Sequence, residues 1–113
     1  MEYLPREEAK EVDGGASLTA FEYSFEDGAL DIARIEVSGR YPQSGTAMNK
    51  ISKQACYILE GSGRLVVEGT TYVLQAGDSV LIQPGESFYW EANLVMLVPC
   101  TPAWSLAQYV ITP

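Results

Sequence analysis

Short apolar runs, each about the length of a strand, alternate along the chain with turn-forming residues. The punctuation falls at Asp13-Gly14-Gly15, Glu26-Asp27-Gly28, Ser38-Gly39, Gly61-Ser62-Gly63, Glu68-Gly69, Ala76-Gly77-Asp78, Pro84-Gly85 and Pro99 to Pro102. Between these marks the pattern predicts strands over Leu18–Phe25, Ala29–Val37, Gln54–Glu60, Arg64–Glu68, Tyr72–Gln75, Val80–Gln83, Ser87–Glu91 and Leu94–Val98, with a closing strand over Leu106–Ile111. Many short strands at regular spacing predict an all-β sandwich or barrel. Alternation along each strand assigns faces. Phe21, Tyr23 and Phe25 oppose Glu22 and Ser24, and Ala33, Ile35 and Val37 oppose Arg34 and Glu36. Gln54, Cys56 and Ile58 oppose Tyr57 and Leu59, so that strand is apolar on both faces. Such a strand wants cover on both sides, which predicts a homodimer.

Helix signals are confined to Pro5–Val12, where proline is placed to open a turn. The sequence therefore divides into an N-terminal segment, residues 1–15, partly irregular or in a short helix, and a barrel over residues 16–113. At 113 residues there is room for one domain and one core. The net charge of -8 leaves no basic stripe to displace counterions from phosphates, which argues against nucleic acid and anionic membrane surfaces as partners. No apolar run approaches the roughly 20 residues of a spanning helix. Met1 to Glu11 carries acids and a proline where a secretory signal would carry a basic patch and an apolar stretch, so a cytoplasmic location is expected. Cys56 and Cys100 lie in apolar runs, not at metal-ligand spacing; buried free thiols are expected, with a disulfide as the alternative.

Two stretches carry a family resemblance. Tyr57-Ile58-Leu59-Glu60-Gly61-Ser62-Gly63 resembles the end of the first cupin motif, and Gly77-Asp78-Ser79-Val80-Leu81-Ile82-Gln83-Pro84-Gly85 resembles the second. The resemblance implies a double-stranded β-helix of the jelly-roll kind. Pro84-Gly85 suits a type II turn on its own physics, because proline sets the first corner and glycine accepts the positive φ of the second. Gly61 and Gly63 are read as a sharp reversal between two strands.

The family's metal ligands do not carry over. The position of its glutamate falls on Gln54, those of two histidines on Ala47 and Asn49 (Met48 and Lys50 if the count shifts by one), and that of the last histidine on Phe88. The chain contains no histidine. Neutral amides are weak ligands for a transition metal and phenylalanine is none, so no metal or other cofactor is expected. The metal-free sugar epimerases that the fold resembles use a histidine base, so their mechanism is missing as well.

What replaces the metal site is a wall of carboxamides and aromatic rings. Asn49, Gln54, Cys56, Phe88, Trp90 and Trp104 are the candidate ligand-binding residues of the lumen. Tyr41, before Pro42, is open between a lid over the barrel mouth and a core or dimer contact, and Lys50 is a cation able to attract an anionic group. An apolar pocket with a few directed polar groups suits a small molecule, and aromatic faces suit a sugar ring or planar heterocycle. Three functions remain open. The first is a metal-independent small-molecule-binding protein; the second is an enzyme of unrecognised metal-free mechanism on a sugar-like or planar substrate, with Cys56, Tyr57 or Glu60 as reactive groups. The third is a dimeric scaffold whose barrel is filled.

Overall fold

The computed structural model describes residues 1–113 as nine strands curled into one sheet system. The strands are β1 (Lys10–Asp13), β2 (Leu18–Tyr23), β3 (Asp31–Tyr41), β4 (Thr46–Asn49), β5 (Lys53–Val67), β6 (Thr70–Gln75), β7 (Ser79–Ile82), β8 (Phe88–Thr101) and β9 (Tyr109–Thr112). Two single 3-10 turns, Arg6–Glu8 and Leu106–Gln108, are the only helical elements. No helix is long and apolar enough to cross a membrane. The all-β jelly-roll barrel inferred from the sequence is the fold.

β8 is its spine. It pairs antiparallel with β3 along one edge, from Tyr41↔Trp90 to Asp31↔Cys100, and with β5 along the other, from Val67↔Phe88 to Lys53↔Thr101. Its inward positions, Phe88, Trp90, Ala92, Leu94, Met96, Val98 and Cys100, are all buried. Strict alternation over fourteen residues gives this strand one apolar face and places it at the centre of the core. Around it pack Val37, Ala47, Cys56, Ile58, Leu65, Leu74 and Ile82.

Four local expectations change. Gly61-Ser62-Gly63 does not reverse the chain: Gln54–Glu60 and Arg64–Glu68 are parts of one strand, β5, broken in register by a bulge between Ile58 and Glu60. The bulge shifts the inward parity, so Gln54, Cys56 and Ile58 face the core before it and Leu65 after it. The glycines are there for proximity. A Cβ on Gly61 would strike the carbonyl of Asn93, and one on Gly63 would strike the methyl of Ala92. Likewise Ser87–Glu91 and Leu94–Val98 are one strand. Over Pro5–Val12 a 3-10 turn gives way to β1, whose pairing with β2 supplies hydrogen bonds that an isolated helical turn lacks. The closing strand is shorter than Leu106–Ile111, since a 3-10 turn occupies its first half. Pro84-Gly85 behaves as its chemistry requires: Glu86 N–H donates to the Gln83 carbonyl at 3.2 Å, and Gly85 holds φ 84°.

Gly39, Ala92 and Gly63 pair side by side across β3, β8 and β5. At Gly63 the approach is close enough that an added Cβ would overlap the Ala92 methyl. Gly63→Val is expected to lower the urea midpoint by the equivalent of about 1–3 kcal/mol, the usual cost of overpacking. Adding Ala92→Gly should recover part of the loss; equal stability of Gly63→Val and the parent would refute the close contact.

Candidate functional site

A cavity of about 200 Å³ opens where the inner faces of β2 and β3 meet that of β8. Its walls are chiefly apolar: Leu18, Ile35, Phe88, Trp90, Met96 and Val98, with Trp104 and Tyr109 from the segment that follows β8. At the opposite part of the barrel Ile58, Leu65 and Leu74 are buried in the core. A second, shallower apolar cavity of about 240 Å³ lies there between Leu65, Val67, Tyr72, Val80 and Ile82, with Glu86 as its one charged residue. The lumen is open at the β3 end because the inward positions there are Ala33 and Asp31, which leave room that a larger apolar side chain would take.

Two sets of hydrogen bonds frame this space. In the first, Trp104 Nε1–H donates to Asn49 Oδ1 at 2.9 Å, and Asn49 Nδ2 donates to Gln54 Oε1 at 2.8 Å. Gln54 Nε2 continues to Cys56 Sγ at 3.7 Å, a weak last link. No buried side-chain polar atom is left without a partner. In the second, the hydroxyls of Tyr41 and Tyr109 share a hydrogen bond of 2.6 Å, and the Tyr109 ring meets Trp104 edge-on with centroids 5.3 Å apart. The backbone N–H of Trp104 donates to Asp31 Oδ2 at 3.0 Å, which ties the segment over the cavity to β3.

Of the six lumen residues inferred from sequence, Gln54, Phe88, Trp90 and Trp104 line the cavity. Asn49 is buried behind this wall, where it orients Gln54 and Trp104. Cys56 is fully buried and does not reach the space. Tyr41 does line it. Lys50 lies in the bend just past the end of β4, is solvent-exposed and does not line the cavity. Of the three reactive groups weighed for an enzyme, Tyr57 and Glu60 lie exposed on the outside of the barrel and Cys56 is sealed in the core, so none adjoins the cavity. Sequence reasoning missed Tyr109, Asp31 and Glu22, all of which line it. Strand parity held the signal for Asp31, which lies two residues before Ala33 on the same face. For Glu22 it misled: the face of β2 that turns inward carries Leu18, Ala20 and Glu22, whereas Phe21 lies on the outer face under the Arg34 guanidinium.

The residues do not fit a metal ion. Ala47 and Asn49 are the inward positions of β4, which settles the count in their favour over Met48 and Lys50. Ala47 pairs with Phe88, Asn49 and Gln54 spend their polar atoms on each other, and no group of three Asp, Glu, Cys or His side chains comes together. Oxygen donors that are neutral and already hydrogen-bonded offer little against hydration water.

Burial governs the ionisable groups. Desolvation raises Asp31 above the usual aspartate value; the Trp104 N–H offsets part of this, and the nearby Glu22 charge adds to it. Tyr41 is raised by desolvation, partly offset by its bond to Tyr109, and Tyr109 is raised by desolvation and by Tyr41, so both phenols stay protonated at neutral pH. The Cys56 and Cys100 thiols, free and buried, are pushed up to about 12, chiefly by desolvation.

Together, the spine, the two motif turns and the ring of inward positions at Ala47, Asn49, Gln54 and Phe88 define a cupin barrel. Residues 41–97 match the family model of the EutQ-like cupin domain, and the chain belongs to that family. Solved structures agree on the fold. The chain is similar to Streptomyces Pac13 solved with uridine, at 17% identity over 100% of this chain and 92% of that one, with a TM-score of 0.88. Pac13 is described as a nucleoside dehydratase. The ectoine synthase of P. lautus superposes with a TM-score of 0.77 at 18% identity, over 100% of this chain and 91% of that one. An RmlC-like cupin from Shewanella frigidimarina gives 0.74 at 21% identity, over 91% of this chain and 92% of that one. At these identities the likeness is one of fold. No curated protein matches the chain by sequence.

The thiols generate a pH dependence. Each ionises at an ordinary value of 9.0 when unfolded and near 12 when folded. As pH rises past 9 the unfolded chain loses these protons first, so the thiols' contribution to stability is present below 9 and is lost towards 12. Urea midpoints in reducing buffer should fall between about pH 8 and about pH 10, and the Cys56→Ala, Cys100→Ala double variant should flatten part of that slope. A slope unchanged in the double variant would refute the assignment.

Proposed function

We propose that this cupin binds a small planar or sugar-like molecule in its lumen without a metal ion. The observation that carries the proposal is the cavity itself: about 200 Å³ of space walled by aromatic rings, with Gln54 held in fixed orientation at its side. A filled barrel, the scaffold alternative, would place side chains where this space lies. Pac13's association with uridine supports a nucleoside as the first probe, since a nucleoside joins a planar ring to a sugar. A second reading, an enzyme acting on the same class of molecule, is favoured by the hydroxyl pair of Tyr41 and Tyr109 and the carboxylate of Asp31 within one cavity. Two phenols can pass a proton between them, and a desolvated carboxylate can accept one.

The chain's two tryptophans, Trp90 and Trp104, both line the cavity, so fluorescence excited selectively through tryptophan, and not through the seven tyrosines, reports on the lumen. Titration with uridine should change that fluorescence saturably, and Ala33→Phe, which adds a ring to the cavity, should abolish the change while the protein stays folded. Leu18→Phe gives a second filled variant. Native mass spectrometry with elemental analysis should find far less than one transition metal per chain. A stoichiometric metal, removed by chelator with loss of stability, would overturn the metal-free reading. Gln54→Leu should destabilise by about 1–3 kcal/mol, because it strands the buried amide of Asn49. A stability gain would mean that the amide chain contributes nothing.

We also propose a homodimer through the outer face of β5, β7 and β8. Tyr57, Leu59, Leu81 and Leu97 are large apolar residues exposed there, and Tyr57 pairs with Leu97 across β5 and β8. A two-fold axis would cover the same patch on both copies. Sedimentation should give a dimer at tens of micromolar, and Tyr57→Glu with Leu97→Glu should give a monomer with parental tryptophan fluorescence. A monomeric parent would refute the interface.

A further inference from the structure

Three acids, Asp13, Glu22 and Asp31, line the cavity, and no Lys or Arg is among its lining residues. The two ion pairs of the fold, Arg34 with Glu36 and Arg64 with Glu91, lie elsewhere and leave these acids without a cationic partner. Asp13 is exposed at the edge, whereas Glu22 and Asp31 are half-buried on the inner face. Alternation places them there: Leu18, Ala20 and Glu22 stand opposite Val37, Ile35 and Ala33, and Asp31 continues that face beside Cys100. The fold gives this carboxylate pair one hydrogen-bond donor, the Trp104 backbone N–H on Asp31 Oδ2. Their remaining acceptor capacity is free for a ligand.

Resting on the lumen-binding reading, we propose that Glu22 and Asp31 are specificity-determining residues that set the charge of the ligand. The lumen takes a neutral or cationic molecule presenting O–H or N–H donors to this end, and it rejects phosphorylated or carboxylated counterparts. An anion entering the space loses hydration beside two like charges, with no counter-charge in the wall to compensate. A hydroxyl or ammonium group instead meets acceptors already in place, and an organic cation gains the faces of the surrounding rings. The overall charge of -8 repels anions further out in the same sense.

The test uses two matched sets: uridine with uridine 5′-monophosphate, and tryptophol and tryptamine with indole-3-acetate. The members of each set share a ring system and differ in charge. Binding is followed by two-dimensional NMR of the Trp90 and Trp104 indole N–H signals. The neutral and cationic members should bind at least about tenfold more tightly than their anionic counterparts. Glu22→Gln with Asp31→Asn should close most of that gap, since the asparagine carbonyl can still accept the Trp104 N–H. If the double variant does not fold, Glu22→Gln alone should narrow the gap, Glu22 making no hydrogen bond within the fold. An anion that binds as tightly as its neutral counterpart, or a gap that survives the substitutions unchanged, overturns this proposal and leaves the lumen reading standing. If no member of either set moves the indole signals, the lumen reading fails and this proposal fails with it.

Discussion

The pairing of β8 along both edges is the constraint on which the rest of this barrel depends. Seven alternate side chains of one strand fill the interior, and β3 and β5 are held in register against it over nearly its full length. A slip of one residue on either flank would turn an entire apolar set to solvent. Register therefore decides more than packing. The pairings that send Val98 and Cys100 inward also bring Ala33 and Asp31 inward beside them, and β2 follows with Glu22. The chemistry of the cavity is a consequence of how the spine is paired.

Small residues, Gly39, Ala92 and Gly63, pair across three strands, and at Gly63 an added Cβ would strike Ala92. The bulge after Ile58 shifts the inward parity of β5, so Leu65 points to the core although it lies an odd number of residues beyond it. Ile58, Leu65, Leu74 and Ile82 are buried on the side of the interior that β5, β6 and β7 build, while the cavity bordered by β2 and β3 is the one that carries aromatic rings and acids.

The same features explain what was legible in the sequence. Turn chemistry at Pro84-Gly85 is local, so it could be read directly, as could the alternation in Gln54–Ile58. Gly61-Ser62-Gly63 was misread because glycine serves both turns and close approach, and only the partner strand distinguishes them. Asn93 interrupts the apolar run of β8 in sequence, but it points outward, where its side chain accepts a hydrogen bond from Ser38, so the strand continues. β4 carries only four residues, and its partner β9 lies about sixty positions away, so no local signal marked it. Tyr109 and Asp31 escaped notice for a related reason: what they line is assembled from β2, β3, β8 and the segment after it.

The absence of metal ligands raises the question of what orders the region that a metal would cross-link in a histidine-bearing cupin. The hydrogen bonds answer it. Asn49 and Gln54 form a neutral chain whose remaining carbonyl, Asn49 Oδ1, needs a donor, and the Trp104 indole supplies it. Buried polar groups left unpaired are costly, so Trp104 is held over the cavity by the need to satisfy an amide beneath it. Its backbone N–H is held independently, by Asp31. One residue thus joins the amide chain at one side of the lumen to the acidic wall at the other. Under the proposed lumen binding, a ligand that engages Asp31 would share that carboxylate with the segment covering the cavity, and its binding would be coupled to the position of Trp104. The hydrogen bonds that make this link run entirely between groups of the chain itself.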